Sequence, residues 1–281
     1  MFRKFYFLLL LLFINLPLHA QSSFHFQLFD VPNSASTEAD NINARGDILG
    51  FFFDHAGVQH GFFFHGGTFT QLDFPGATAT KTVGLNNRDD IVGAFTDASG
   101  NQHGLVRKDG VFTQIDFPGA TSTQALSIND AREIAGSFTD TAGRTHGFVE
   151  SAGTFTQIDF PGATGTIVFG INDGGETVGA FADASGTQHA FSRRDGVVTR
   201  VNPPGSTSSF AFGLNARANI IGSFTDVSGN GHGFLDQGGV FIQLDFPGAV
   251  STDGDGINAQ GTIVGDFFDA AGVEHGYIAT K

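Results

Sequence analysis

The sequence predicts an all-β fold, a six-bladed β-propeller closed by its N-terminal strand, on three observations. A 43-residue unit recurs six times without insertion or deletion, the unit reads as four short strands, and the chain opens with a copy of the fourth strand that its last unit lacks. One step of 43 residues links Asn43, Asn86, Asn129, Asn172, Asn215 and Asn258. The same step links His60, His103, His146, His189, His232 and His275, and again Asp54, Asp97, Asp140, Asp183, Asp226 and Asp269.

Within the third unit, the first strand is expected over residues 125–129, the second over 133–139 and the third over 146–150. The fourth is the run Phe-Thr-Gln-Ile-Asp-Phe that starts at Phe112 in one unit and at Phe155 in the next. These runs are short, rich in β-branched and aromatic residues, and bounded by turn chemistry. Between first and second strands stands the repeated Asn. Between second and third stands Asp-x-x-Gly, where Asp bonds the turn backbone and Gly takes a positive φ. Between third and fourth stand pairs such as Asp109-Gly110, Ala152-Gly153 and Asp195-Gly196, a type I′ hairpin signal. The passage Phe-Pro-Gly-Ala-Thr then stops the fourth strand, because Pro lacks the N–H a ladder needs.

Taken in order, residues 1–20 read as a secretory signal peptide. Arg3 and Lys4 are its basic start, residues 5–17 its apolar stretch, and Leu18-His19-Ala20 its cleavage site before Gln21. The apolar run is shorter than the roughly 20 residues of a membrane span. With no Cys in the sequence, neither a lipid anchor nor a disulfide is expected. Residues 21–281 are expected to form one propeller domain. Stability must then come from packing, and 33 Phe against no Trp and two Tyr supply the means. Residues 24–31 align with the fourth strand, while the last unit lacks one, so the N-terminal strand is expected to complete the final blade. Apolar residues on both faces of the fourth strand, Phe112 on one and Ile115 and Phe117 on the other, fit sheets covered on both sides by neighbours. An open solenoid would need capping units, and the terminal units are ordinary.

The pattern Ile-Asn-x-x-Gly-x-Ile-Val-Gly, Asp-x-x-Gly-x-x-His-Gly-Phe, Phe-Thr-x-Ile-Asp-Phe-Pro-Gly-Ala-Thr resembles the HAF family of bacterial extracellular repeat proteins. Gly170-Ile171-Asn172, Val178-Gly179 and His146-Gly147-Phe148 carry it, and it runs over residues 26–281. The resemblance implies secretion and a repeat fold and brings no site residues. The fourth and fifth units depart from it most, with Ala190 for Gly and Asn202-Pro203-Pro204 for Asp-Phe-Pro.

Three repeated side chains invite chemistry. The histidines begin the third strand out, too far apart to share one ion, so each is expected to hold its own blade. One Asp per Asp-x-x-Gly loop falls short of a Ca²⁺ loop, which supplies several oxygens from one segment, so a turn role is expected. The Asn residues either form a polar ring at one mouth of the axial channel or bond their own turn, and the turn is favoured. No metal and no cofactor is expected, and no catalytic spacing stands out from the repeat. The Arg193, Arg194 and Arg200 cluster is the one departure from it that the sequence reading picks out.

Net charge is −14, and losing Arg3 and Lys4 with the signal makes the mature chain more acidic. Duplex nucleic acid and an anionic membrane surface are poor partners for it. Propeller connectivity places most arginines on the face of the Asn turns. The opposite face keeps Asp54, Asp97, Asp140, Asp183, Asp226 and Asp269 with Glu38, Asp253 and Glu274, offset mainly by Lys81 and Arg144. That acidic face is the expected binding surface, for a cationic partner or surface-bound cations. The function expected is a secreted (extracellular or periplasmic), monomeric, non-enzymatic binding or scaffold module for a cell-envelope protein or glycan. The alternative is an extracellular polysaccharide hydrolase or lyase.

Overall fold

Each unit becomes one antiparallel meander of four strands, because its turns are too short for any other connection. A computed structural model of the chain describes residues 24–281, and every regular element in it is a strand. The signal peptide expected over residues 1–20 lies outside the described residues.

Blade 1 comprises β2 (Ser36–Ile42), β3 (Ile48–Phe53), β4 (Gln59–His65) and β5 (Thr68–Leu72), numbered after the N-terminal strand β1 (His25–Leu28). Blade 2 is β6 (Ala79–Leu85), β7 (Ile91–Thr96), β8 (Gln102–Lys108) and β9 (Val111–Ile115). Blade 3 is β10 (Ser122–Ile128), β11 (Ile134–Thr139), β12 (Thr145–Ser151) and β13 (Thr154–Ile158). Blade 4 is β14 (Gly165–Ile171), β15 (Thr177–Ala182), β16 (Gln188–Arg194) and β17 (Val197–Arg200). Blade 5 is β18 (Ser208–Leu214), β19 (Ile220–Thr225), β20 (Gly231–Asp236) and β21 (Phe241–Leu244). Blade 6 is β22 (Ser251–Ile257), β23 (Ile263–Phe268) and β24 (Glu274–Thr280), completed by β1 on the edge of β24. The pairing runs from His25 opposite Thr280 to Leu28 opposite Tyr277. The first strands β2, β6, β10, β14, β18 and β22 touch in a closed ring around the axis.

Two devices join neighbouring blades. The Phe that ends one fourth strand stacks on a second-strand Phe of the next blade. Phe74 meets Phe95 at 3.7 Å, Phe117 meets Phe138 at 3.6 Å, Phe160 meets Phe181 at 3.5 Å and Phe246 meets Phe267 at 3.8 Å. Such pairs contribute about 0.5–1.5 kcal/mol each beyond the area they bury. A first-strand hydroxyl then accepts from the backbone of the preceding blade, as Thr123 Oγ1 does from Phe117 N at 3.0 Å.

Tight spacing explains the Gly of Ile-Val-Gly. A Cβ on Gly136 would stand 2.8 Å from the Phe148 ring and strike the Gln124 carbonyl. The third-to-fourth turns are of the expected hairpin kind, with Asp109 at φ 50° and Gly110 at φ 82°. The first strand of the third unit starts earlier than the sequence suggests, at Ser122, because Thr123 is already tied to the preceding blade.

In every blade the pairing of first and second strands slips once, in blade 3 between Ala125 and Ser127. The skipped residue there is Leu126; its equivalents are Val83, Phe169, Phe212 and Asp255, with Asp40 inside the wider slip of blade 1. A bulge of this kind re-aims a side chain, and it positions the site described next.

Candidate functional site

The six aspartates singled out from the sequence each stand in the second-to-third turn of their own blade, all on one face. Each is committed to that turn. Asp97 Oδ1 accepts from Ser99 N and Asn101 N, both at 2.8 Å, and Oδ2 faces His103 Nε2 at 3.6 Å. The other imidazole nitrogen of His103 lies 3.0 Å from Asp116 Oδ2, and the ring sits 5.3 Å from that of Phe95. In blade 4, Asn202 replaces the strand-end Asp and meets His189 Nδ1 through Nδ2 at 3.3 Å. Backbone N–H donation holds Asp54, Asp97, Asp140 and Asp269 below the usual carboxylate range. Asp226 is pushed down to about 2, chiefly by the Asn230 N–H. Asp183 is held low chiefly by the Ser185 hydroxyl.

On the opposite face, five of the six Asn side chains serve their turn and their neighbour together, while Asn43 Nδ2 donates to Asp47 Oδ2 at 2.9 Å within its own turn. Asn86 Oδ1 accepts from Arg88 N at 2.9 Å and Asp90 N at 3.0 Å, while its Nδ2 donates to Asn129 O at 3.1 Å. The same donation passes from Asn129 to Asn172, Asn215, Asn258 and on to Asn43. The turn reading and the ring reading are thus met by one side chain.

The Arg cluster sits on the outer strands of blade 4. Arg194 Nη2 pairs with Glu176 Oε2 at 2.7 Å, and the Arg200 guanidinium lies 5.1 Å from the Phe181 ring centroid. It lines no cavity at the axis. Symmetry breaks more strongly elsewhere.

Two positions of the first strand vary around the ring. One runs Glu38, Lys81, Gln124, Ile167, Phe210, Asp253 around the ring; the other, on the bulge, runs Asp40, Val83, Leu126, Phe169, Phe212, Asp255. All of these except Ile167 and Phe210 line an axial cavity of about 200 Å³ that also takes Asp266 from β23 and Glu274 from β24. One wall, from blades 6 and 1, is carboxylic. The opposite wall, from blades 3 to 5, is apolar, with Phe169 and Phe212 edge to face at 5.1 Å and 77°.

The carboxylic wall is electrostatically unbalanced. Lys81 Nζ lies 3.7 Å from Glu38 Oε1 and 4.1 Å from the Phe51 ring centroid. Asp40, Asp253, Asp255, Asp266 and Glu274 have no Lys, Arg or His partner among the described residues. Asp40 and Asp255 each keep one oxygen shut off from solvent with no hydrogen-bond partner. Burial first, then neighbouring carboxylates, hold Asp40, Asp255 and Asp266 well above the usual carboxylate range. Burial, with Glu38 adding to it, pushes Glu274 up to about 7. By register, Glu274 and Glu38 take the places of Gln102 and Gln124, where Gln124 Nε2 donates to Gln102 Oε1 at 2.9 Å. Burial works against the Lys81 ammonium, but Asp40 and Glu38 outweigh it and hold its pKa up.

Glu38, Asp253, Glu274 and Lys81, expected on the acidic face, line the axial cavity. Asp40, Asp255, Asp266 and the apolar wall were not among the expected site residues. The signal was present as two positions that vary while their neighbours hold constant. No family model and no curated protein matches the chain. Among solved structures, it is similar to AofleA from Arthrobotrys oligospora at 13% identity and TM-score 0.57, covering 91% of this chain and 86% of that one. A second is a mutant of the Aleuria aurantia lectin in complex with Fucα1-6GlcNAc, at 10% identity and TM-score 0.54, covering 87% and 91%. A third is the β-propeller domain of the Pyrococcus furiosus Trilobed protease, described as having an open velcro topology, at 7% identity and TM-score 0.52, covering 86% and 95%. At such identities the likeness is one of fold, and here β1 closes the ring.

Proposed function

We propose that this chain is a secreted, non-enzymatic binding module whose ligand enters the axial cavity from the face of the Asp-x-x-Gly turns. One observation carries the reading. Apart from departures such as Ala190 and Pro203 in the fourth and fifth units, the repeat is kept where residues build blades and seams, and it varies most at the two first-strand positions around the axis. A scaffold alone has no use for that variation, and a cavity with one polar and one apolar wall is the form a small-ligand site takes. The rim aspartates Asp54, Asp97, Asp140, Asp183, Asp226 and Asp269 are already bonded, so their part is to draw a cationic partner toward the mouth. Secretion rests on residues 1–20. A glycan partner draws support from the lectin that shares the fold.

A second reading, hydrolysis or lysis of extracellular polysaccharide, draws on the same cavity, since a carboxyl near neutrality such as Glu274 suits a general acid. One experiment separates the two. Residues 21–281 are unfolded thermally with small amines, glycans and cell-wall fragments, and the same glycans are assayed for new reducing ends. Binding at a hundredfold excess over Kd adds about 2.7 kcal/mol of stability. The expected result is a raised midpoint for at least one probe, lost in Phe212→Ala, with no new reducing ends. A shift that survives Phe212→Ala but vanishes when Asp97, Asp140 and Asp226 are changed to Lys would move the site to the rim. Released reducing ends would make the chain an enzyme.

A further inference from the structure

The cavity already holds one cation, and its setting indicates what the rest of the cavity accepts. Lys81 places an alkylammonium between the Glu38 carboxylate, at 3.7 Å, and the face of Phe51, at 4.1 Å. Carboxylate on one side and an aromatic ring on the other is a favourable environment for an ammonium ion. Beyond that pair, the same wall offers five more carboxyl groups and no second basic residue.

Asp40 and Asp255 are the deepest of these on the first strands, both re-aimed by the bulge of their strand. Both residues line the cavity, and each also has one oxygen, closed off from solvent, that meets no donor of the chain. Buried polar atoms are ordinarily satisfied, and the donor that these two carboxyl groups lack is not supplied by the chain. Among the described residues no group of three or more His, Asp or Glu side chains is placed to hold a metal ion. The facing wall of Leu126, Phe169 and Phe212 offers a metal nothing, but it would cover a hydrocarbon or aromatic body.

We propose that the axial cavity binds a small organic ammonium ion with an apolar body. Its N–H groups donate to the carboxyl groups of Asp40 and Asp255 that line the cavity, and its body lies against Phe169, Phe212 and Leu126. This inference rests on the axial-binding reading above and narrows it to one class of ligand. An alkylammonium can be a free amine or the lysine side chain of another protein, and both present the same group to the cavity.

The test is calorimetric titration of residues 21–281 with three probes: 2-phenylethylammonium, its neutral isostere 2-phenylethanol, and N-acetyl-lysine amide. The ammonium is expected to bind at least about tenfold more tightly than the alcohol, since leaving a buried charged partner unmatched weakens binding by at least that much. The double variant Asp40→Asn, Asp255→Asn is expected to lose the same factor while unfolding cooperatively, which certifies its fold. Phe212→Ala is expected to weaken both phenyl probes. Tighter binding of N-acetyl-lysine amide than of 2-phenylethylammonium, lost in the double variant, supports the ammonium site and assigns it to a protein's lysine. Equal affinity for amine and alcohol, or full amine affinity in the double variant, overturns the ammonium assignment, and sensitivity of either probe to Phe212→Ala then leaves the cavity a binding site. If no probe binds and Phe212→Ala changes nothing, this inference falls, and the glycan panel above decides separately whether the cavity binds anything.

Discussion

A single hydroxyl distinguishes Tyr277 from its counterparts Phe62, Phe148, Phe191 and Phe234, all wholly or almost wholly buried. Each of these rings lies across the Gly of the adjacent second strand, Gly265 in the case of Tyr277. The ring therefore has its place for the same reason in each blade, but Tyr277 carries there an oxygen with no partner, in a residue of 0% exposure. A buried unpaired hydroxyl costs about 1–3 kcal/mol, whereas replacing it with hydrogen keeps the packing. Tyr277→Phe is accordingly expected to stabilise the protein by about 1 kcal/mol, or roughly 2–4 °C in midpoint for a chain of this size. Phe234→Tyr should destabilise by a similar amount. Denaturant unfolding checks both, and a destabilised Tyr277→Phe would mean that the hydroxyl does meet a partner, such as a buried water.

At the scale of elements, the N-terminal strand does more than add four backbone pairs. Phe26 lies 5.4 Å from Tyr277 and 5.7 Å from Phe246, and Phe29 lies 5.0 Å from Phe64 of blade 1, so β1 and the residues after it lock the last seam of the ring. Removing residues 24–31 takes away three packed Phe side chains, of which the buried Phe29 alone contributes about 3–5 kcal/mol. At 2–4 °C per kcal/mol, the midpoint should fall by roughly 10 °C or more. The bared edge of β24 should also make the protein associate, which light scattering would detect; an unchanged midpoint and a monomer would show that the ring closes without its clasp. That clasp was legible in the sequence, because the fourth-strand pattern stands in five units, is missing from the sixth and appears once before the first. So were the turns of Asp54 and its equivalents, whose chemistry is local. The axial cavity was not, for a physical reason. Its residues come from six different units and from the register slip that turns Asp40, Leu126, Phe169, Phe212 and Asp255 toward the axis. A search for what recurs finds the scaffold, while a binding site in a repeat protein lies in what fails to recur.

Over the whole molecule, carboxyl groups fall into two populations with opposite effects on stability. On the rim, Asp226 drops from 3.8 to about 2, and its equivalents move the same way. Their contribution is present above the unfolded value of 3.8 and is lost as pH falls through the folded value. At the axis the sign reverses. Glu274 rises from 4.5 to about 7 and Asp40, Asp255 and Asp266 stand well above 3.8, so the folded state holds their protons more tightly than the unfolded chain does. That contribution is present in full below the unfolded value and is lost as pH rises through the folded one, a window that for Glu274 runs from 4.5 to about 7. The groups facing Glu274 are Glu38 on β2, Lys81 on β6 and Asp253 on β22, of which only Lys81 opposes the trend. Maximum stability is therefore expected near pH 4 to 5, between the two windows, with a decline toward pH 8. Unfolding midpoints taken from pH 3 to 8 test this, and in the variant Asp255→Asn, Glu274→Gln the alkaline decline should flatten while the acid one stays. An ammonium ligand should restore most stability at pH 8, where the axial carboxyls are most ionised, and least at pH 4.5. A wild-type profile flat from pH 4.5 to 8, or a ligand effect greater in acid than in alkali, would refute the charge imbalance on which the axial site depends.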